Sequence, residues 1–180
     1  MPGQLSLATE LERIANALEA DATAVAQVSL TSVAERIAKN LGVKSDEIAL
    51  MGVSHRWRHL HFLVPEALKN VGFIPLSSTL SVAARTARES RPEILNNFAS
   101  VRHATVFEGL KITTEGSELI QKMISAPILS GEVVVGVIQV SRRGADVVTS
   151  GPDFTADELG KVLALCKPLG KLIQRIAGNS

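Results

Sequence analysis

The sequence has few of the residues that usually build specialised sites. Its 180 residues include one cysteine, one tryptophan and no tyrosine, and aromatic residues make up 3%. A single cysteine excludes an internal disulfide framework and is typical of a reducing compartment. So few aromatic rings argue against base stacking on single-stranded nucleic acid. The core must therefore be built mainly from aliphatic side chains.

The sequence also lacks an excess of positive or negative charge. The chain has 19 Lys and Arg against 18 Asp and Glu, a formal net charge of +1. Such a balance gives no bulk field to attract nucleic acid or an anionic membrane. The most apolar stretch, residues 123–140, is interrupted by Pro127, Gly131 and Gly136, and no signal peptide is visible. We therefore expect a cytoplasmic protein that has neither nucleic acid nor membrane as a partner.

The length predicts about one domain, which can bury enough surface to fold without a disulfide or a metal. The periodicity divides the chain into an N-terminal amphipathic helical segment, residues 1–29, and one structural unit, residues 30–180. No repeat, low-complexity tract or long linker divides it further.

Both ends of the chain carry heptad-like stripes of apolar residues. The first stripe is broken at Asp21, and the second follows Phe154. One interpretation is that these helices pack on their own sheet. The other is that they also meet a second copy in a homodimer. The candidate dimer residues are Leu7, Leu11, Ile14, Leu18, Val162, Leu169 and Ile173.

Between these stripes the pattern predicts alternating helices and strands. A helix over Leu30–Leu41 should end at Gly42, and N-cap oxygens at Ser77–Thr79 should begin another. A strand pair should turn at Ser130-Gly131, with its second strand covered on both faces. The predicted strands are Glu47–Val53, Leu60–Val64, Glu93–Asn96, Met123–Leu129 and Glu132–Val140, with a loop over Phe98–Gly109.

The sequence marks the start of the last helix and a proline in its middle. Thr155 and Glu158 form a capping box, which places the start of the helix directly after Thr155. Pro168 lies inside the apolar stripe and should kink or break the helix.

Three segments in this order resemble the GAF domain family. Leu76–Ile94 is similar to the family's helix "l-x-G-x-a-a-x-t-g-x-P-v", Met123–Val140 to its core hairpin, and Phe154-Thr155 to the opening of its last helix. The resemblance implies an α+β sandwich with a mostly antiparallel six-stranded sheet. Its terminal helices would cover one face of the sheet. A small-molecule pocket would lie on the other face, beneath residues 76–120. It also implies a sensory or regulatory module.

Departures from the family's sequence patterns narrow the range of ligands that we expect this chain to bind. Cyclic-nucleotide GAF domains share an Asn-Lys…Phe…Asp-Glu signature, and the matching positions here lack the asparagine: Ser141-Arg142…Phe154…Asp157-Glu158. Helix capping explains the Phe…Asp-Glu part. Bilin attachment and methionine sulfoxide reduction both need pocket cysteines, whereas Cys166 lies on the terminal stripe.

The sequence contains no catalytic motif that we could identify: no phosphate-binding loop with lysine, no nucleophile elbow and no paired-cysteine zinc site. We expect no enzymatic activity, no cofactor and no metal, and the ligand stays unassigned. The candidate ligand-binding residues are Ser78, Phe98, Arg102, His103, Phe107 and Ser125. The alternative is a GAF-derived interaction scaffold whose pocket is filled by its own side chains.

Two further groups lie together after the first predicted strand. His55, His59 and His61 could suggest metal binding, but no acidic residue or cysteine follows to complete a site. The segment Arg56-Trp57-Arg58 could contact phosphate or a partner, since both residue types are favoured at interfaces. An exposed, solvated hairpin tip explains both groups as well.

Overall fold

Helices and strands of the chain form one antiparallel sheet with helices on both faces. The structure is a computed structural model that describes residues 6–20, 29–98 and 119–177. The sheet order is β3-β2-β1-β6-β5-β4. The elements are α1 (Leu7–Ala20), α2 (Leu30–Leu41), β1 (Ile48–Ser54), β2 (His59–Val64), β3 (Phe73–Pro75), α3 (Val82–Glu89), β4 (Glu93–Leu95), β5 (Leu119–Ser130), β6 (Val133–Gly144) and α4 (Ala156–Ala177).

The predicted fold class, a six-stranded α+β sandwich, is confirmed. Helix α2 has the predicted bounds: Ser29 caps its start by accepting the Ser32 N–H, and Gly42 ends it at φ 70°. That left-handed backbone conformation is one that glycine adopts without steric cost. Strand β2 stops at Val64, directly before Pro65, as predicted.

Several boundaries differ from the predictions. Strands β5 and β6 have 12 residues each, longer than predicted. Because Ser130 still pairs with Val133, the turn between them is Gly131-Glu132, one residue later than expected. Strand β3 was not predicted, since its three residues are too few to show a period.

Helix α3 also starts later than predicted. Its N-cap is Ser81, whose hydroxyl accepts the Ala84 N–H at 3.1 Å. The earlier Ser78 hydroxyl instead accepts the Ser81 N–H at 3.2 Å and so orders the turn before the helix. Serine hydroxyls form both arrangements, which is why sequence could not place the start precisely among neighbouring serines.

Helix α4 begins with the predicted capping box and continues through Pro168. Glu158 N–H donates to the Thr155 hydroxyl at 3.2 Å, and Thr155 N–H donates to the Glu158 carboxylate at 3.1 Å. The predicted break at Pro168 is absent. Leu165 and Leu169, on either side, are buried against the sheet. Their packing outweighs the ~3 kcal/mol that proline costs inside a helix.

The larger core lies between the sheet and helices α1, α2 and α4. Leu11 of α1 is buried in the same apolar cluster as Ile138 of β6 and Leu169 of α4. Ion pairs between Arg36 and Glu10, and between Lys171 and Glu12, add polar links from α1 to α2 and α4. Helix α1 is therefore packed as part of the same core as the sheet.

The predicted dimer residues are mostly used inside this core. Leu11, Val162, Leu169 and Ile173 are buried within one copy, and Leu7 is half-buried. The Ile14 and Leu18 side chains lie outside what the structure describes. This is the first interpretation given above, helices packing on their own sheet. A contact between copies would need other sides of these helices.

Helix α3 covers part of the opposite face of the sheet. Its small residues Ala83 and Ala84 let it lie close to Met51 and Val137. Arg85 donates twice to the Glu93 carboxylate, at 2.8 Å each, and so ties α3 to β4. This face carries the candidate site.

Candidate ligand-binding site

A buried polar cluster lies between α3 and the middle of the sheet. Ser125 and Gln139 are directly opposite each other on β5 and β6. Gln139 Nε2 donates to Ser125 Oγ at 3.2 Å, and Thr86 Oγ1 lies 2.7 Å from the same oxygen. Thr86 Oγ1 also donates to the Val82 carbonyl at 2.9 Å. All three polar side chains are fully buried, so they stay hydrogen-bonded where water does not compete.

Two atoms near this cluster lack hydrogen-bond partners. Gln139 Oε1, an acceptor, and Arg143 Nε, a donor, are buried with no partner among the residues that the structure describes. Both side chains line the same cavity, of about 10 Å³, together with Glu47, Ser141 and Met123. Leaving a buried polar group unpaired costs roughly 1–3 kcal/mol. A polar molecule in this cavity could satisfy both atoms.

Glu47 fixes the geometry of the cavity wall. One carboxylate oxygen accepts the Lys44 N–H at 2.8 Å, and the other accepts the Arg143 N–H at 2.7 Å. Ser141 Oγ donates to the Glu47 carbonyl at 3.3 Å. The cavity lining thus includes an arginine and a glutamate, whose carboxylate is held by backbone N–H groups. Those groups suit a small polar ligand with both an acceptor and a donor.

The structure brings two of the predicted ligand-binding residues to this face. Ser125 belongs to the polar cluster, and Phe98 is buried against Val82, Ile120 and Met123. Ser78 is instead used in the turn before α3, where it does not line the described cavity. Arg102, His103 and Phe107 lie outside the described residues.

Sequence reasoning missed Thr86, Gln139 and Arg143. A signal for two of them was present: residues 139, 141 and 143 are polar and alternate along a strand that is otherwise apolar. Alternate residues of a strand point to one face, so polar residues in this pattern mark a polar strip on that face. Thr86 gave no such signal, because threonine on a helix is usually solvated.

Cys166 is not placed for thiol chemistry. It is buried on α4, on the other face of the sheet, and its Sγ donates to the Val162 carbonyl at 3.4 Å. Burial raises the pKa of this thiol from 9.0 to about 12. Because the thiolate is the reactive form, the folded protein keeps this cysteine inert at neutral pH. Alkali should destabilise the fold from about pH 9 upwards, since the unfolded chain ionises first.

His59 and His61 are half-buried and lie next to each other on β2, whereas His55 is exposed. The His59 and His61 rings lie 6.2 Å apart, edge to face. Among the residues that the structure describes, no three His, Cys, Asp or Glu side chains are arranged to hold a metal ion. Partial burial, and then the neighbouring His59, lower the pKa of His61. This imidazole is therefore neutral at physiological pH.

The positions that match the cyclic-nucleotide signature contact one another. The Arg142 guanidinium pairs with Glu158 at 2.9 Å and lies 4.1 Å from the Phe154 ring centroid. It also donates to the Pro152 carbonyl at 2.8 Å. These contacts hold the start of α4 against the sheet, so the residues have a structural role.

Comparisons with known proteins support the fold. A family model described as GAF domain matches residues 4–173. The chain therefore belongs to the GAF domain family, whose members are generally sensory or regulatory. A search of curated proteins found no match.

Solved GAF domains share the whole architecture. The GAF domain of a phosphoenolpyruvate-protein phosphotransferase from Acinetobacter is 16% identical over 94% of this chain and 93% of its own, with a TM-score of 0.64. Its counterpart from Coxiella burnetii is 12% identical over 96% and 99%, with a TM-score of 0.64. At such low identity the likeness establishes the fold alone.

Some similar structures are enzymes. The free methionine-R-sulfoxide reductase from Neisseria meningitidis, solved with its substrate, is 14% identical over 94% of this chain and 89% of its own, with a TM-score of 0.60. The absence of enzymatic activity in this chain therefore stays a prediction, which depends on the inert Cys166. Among the described residues, no helix is long and apolar enough to cross a membrane.

Proposed function

We propose that this GAF domain is a regulatory module that binds a small polar molecule on the α3 face of its sheet. The observation that carries the proposal is a pair of buried atoms, Gln139 Oε1 and Arg143 Nε, whose residues line one cavity and which have no hydrogen-bond partner in the described part of the chain. Unpaired buried polar groups are costly, and they persist most often where function needs them. A ligand that accepts from Arg143 and donates to Gln139 would remove both costs.

The ligand class follows from the wall chemistry. Arg143 favours a carboxylate or another anionic acceptor, whereas Glu47 and Gln139 Oε1 favour a donor such as an ammonium or hydroxyl. Amino acids and hydroxylated organic acids combine both groups in one small molecule. A purely anionic ligand would be repelled by the Glu47 carboxylate.

One observation favours a second candidate function. The described cavity has a volume of about 10 Å³, enough for one water, whereas sites for drug-sized ligands usually measure roughly 300–1,000 Å³. A filled pocket would fit an interaction scaffold that holds partners without any ligand. An electron-density map of the purified protein, inspected for a co-purified molecule at Gln139, discriminates the two.

The variant Gln139→Met tests the ligand hypothesis. Methionine removes the unpaired acceptor at similar volume but also the hydrogen bond to Ser125, so the two effects should nearly cancel and the ligand-free stability should change by less than about 1 kcal/mol. Thermal-shift screening should find a ligand among amino acids and organic acids that raises the wild-type Tm. At a hundredfold excess over Kd the stabilisation is about 2.7 kcal/mol. The variant should lose this shift.

Gln174→Met is the matched control, because Gln174 is exposed on α4 and away from the cavity. It should keep both the wild-type Tm and the ligand shift. The absence of any shift in the wild type, including with cyclic nucleotides, would favour the scaffold. A ligand shift that Gln139→Met retains in full would contradict binding at Gln139.

We also propose that two copies pair through their terminal helices. Helix α4 keeps an apolar side chain on its outer side, Leu163, which is 41% exposed. Sedimentation of the wild type at tens of micromolar should give a dimer, and Leu163→Glu should shift it towards monomer. Leu119→Glu is the control, since this exposed leucine lies on β5. A strict monomer would refute the pairing.

A further inference from the structure

The hairpin between β1 and β2 presents an aromatic surface that the described helices leave uncovered. We call it the tip surface and define it by the residues that line one open depression of about 770 Å³: Ser54, Arg56, Trp57, His59, His61 and Phe73. It lies at the far end of the sheet from the Arg142 contacts. Nothing in the proposed ligand site uses it.

Large apolar side chains are exposed on the tip surface. Trp57 is 66% exposed and Phe73 is 64% exposed. The His59 ring stacks on Phe73 with centroids 4.1 Å apart, and the Arg56 guanidinium lies 5.0 Å from the Trp57 ring centroid. Exposed tryptophan and arginine together are typical of binding hot spots.

The surface belongs to the sheet face that the terminal helices cover elsewhere. Gly52 lies two residues beyond Leu50, which is buried under those helices, so both positions face the same side. A Cβ at Gly52 would lie 2.8 Å from His61 Nε2. The His61 ring therefore covers Gly52 of β1, at a point on this face that the described helices leave open.

Hydrogen bonds on both sides hold the tip in place. His55 Nε2 donates to the Val134 carbonyl at 2.9 Å, and Leu76 N–H donates to the Arg58 carbonyl at 3.0 Å. Trp57 N–H donates to Ser54 Oγ at 3.3 Å. Arg58 adopts φ 53°, an uncommon conformation for a residue with a side chain. A tip held this way loses little conformational entropy on binding.

The charge of the tip surface has one sign. Arg56, which lines the depression, and Arg58, two residues further along the same turn, form no ion pair with any residue that the structure describes, and no described carboxylate lines the depression. An uncompensated basic rim around exposed rings is complementary to a partner that has carboxylates beside apolar side chains. The exposed Arg91, by contrast, pairs with Glu89 at 3.3 Å.

We propose that the tip surface docks an acidic segment of a partner protein. Carboxylates of the segment would meet Arg56 and Arg58, and an apolar side chain would lie on Trp57 and Phe73. The contact uses side chains rather than strand addition, because the adjoining end strand β3 has three residues and includes Pro75, which has no N–H to donate.

Trp57 reports this binding directly, since it is the single tryptophan of the chain. Its emission in the free protein should be that of an indole in water. A short synthetic peptide that alternates glutamate and leucine should shift the emission to the blue in a saturable way. The matched peptide with lysine in place of glutamate should give no shift. Raising the salt concentration should weaken the binding, because the charges are exposed.

Two variants test separately how much the arginine charge and the aromatic rings contribute to peptide binding. Arg56→Glu should weaken peptide binding by roughly tenfold or more, and Phe73→Ser by a similar factor. Arg91→Glu makes the same charge change at an exposed site elsewhere and should leave binding within about twofold. All three positions are exposed, so folding is retained.

Three results would overturn the proposal. One is an unchanged Trp57 emission at saturating acidic peptide. Another is an equal shift with a thymidine oligonucleotide, which would make the surface a nucleic-acid site. The third is that Arg91→Glu and Arg56→Glu weaken peptide binding equally. The binding would then depend on the net charge of the protein and not on the tip surface.

Discussion

Gly170→Ala should destabilise the protein by about 2 kcal/mol, although alanine in place of glycine normally stabilises a helix interior by roughly 1 kcal/mol. The reason is the close approach of α4 to the sheet. A Cβ at Gly170 would lie 2.4 Å from the Leu129 carbonyl oxygen, which belongs to the backbone of β5. The helix would have to move away from the sheet. Denaturant unfolding should therefore show a lower midpoint.

Gly160→Ala is the matched control in the same helix. Gly160 is exposed, and a Cβ there would meet nothing within 4 Å. This variant should gain up to ~1 kcal/mol, so the same substitution should have opposite signs at two positions of one helix. If both variants are stabilised, the close packing of α4 on β5 is not as described.

Leu169→Ala should cost about 3 kcal/mol, within the usual range of roughly 2–5 kcal/mol for a buried leucine. Leu169 is fully buried in the core beneath the terminal helices. Truncation would leave a cavity between α4 and the sheet, next to Pro168, where the helix already lacks one backbone hydrogen bond. A fall in Tm of roughly 6–12 °C should be seen by thermal unfolding.

Leu163→Ala is the control for this substitution, because Leu163 lies on the outer side of the same helix. It should change the free energy of unfolding by about 0.5 kcal/mol or less. Both variants are best compared at low protein concentration, where any dimer dissociates. A similar cost for the two would contradict the burial of Leu169 in the core of one copy.

The candidate site was predictable only in outline. Ser125 and Phe98 lie on the face that the family resemblance indicated, but neither lines the described cavity, and their contact with a ligand stays a prediction. Gln139 was missed because a glutamine in an apolar strand does not indicate which partner it faces across the sheet. Its contact with Ser125 depends on strand register, and the lack of a partner for its oxygen among the described residues depends on how the chain packs around the cavity. Neither is encoded by local spacing.

The sequence by itself determined the elements whose causes are local. Helix α2 follows from its apolar stripe and the Gly42 cap, the start of α4 from its capping box, and the hairpin of β5 and β6 from two apolar runs, the second of them valine-rich, on either side of Gly131. These depend on contacts between residues a few positions apart. Their order was enough to indicate the GAF fold.

Only the tertiary structure decided how the elements are used. It placed Leu11 and Leu169 inside one copy, although their heptad spacing suits a dimer equally well. It carried α4 through Pro168, because packing on both sides outweighs one missing hydrogen bond. It also left Trp57 and Phe73 uncovered on the sheet. Burial is a property of the whole packed chain, so residues distant in sequence settle it.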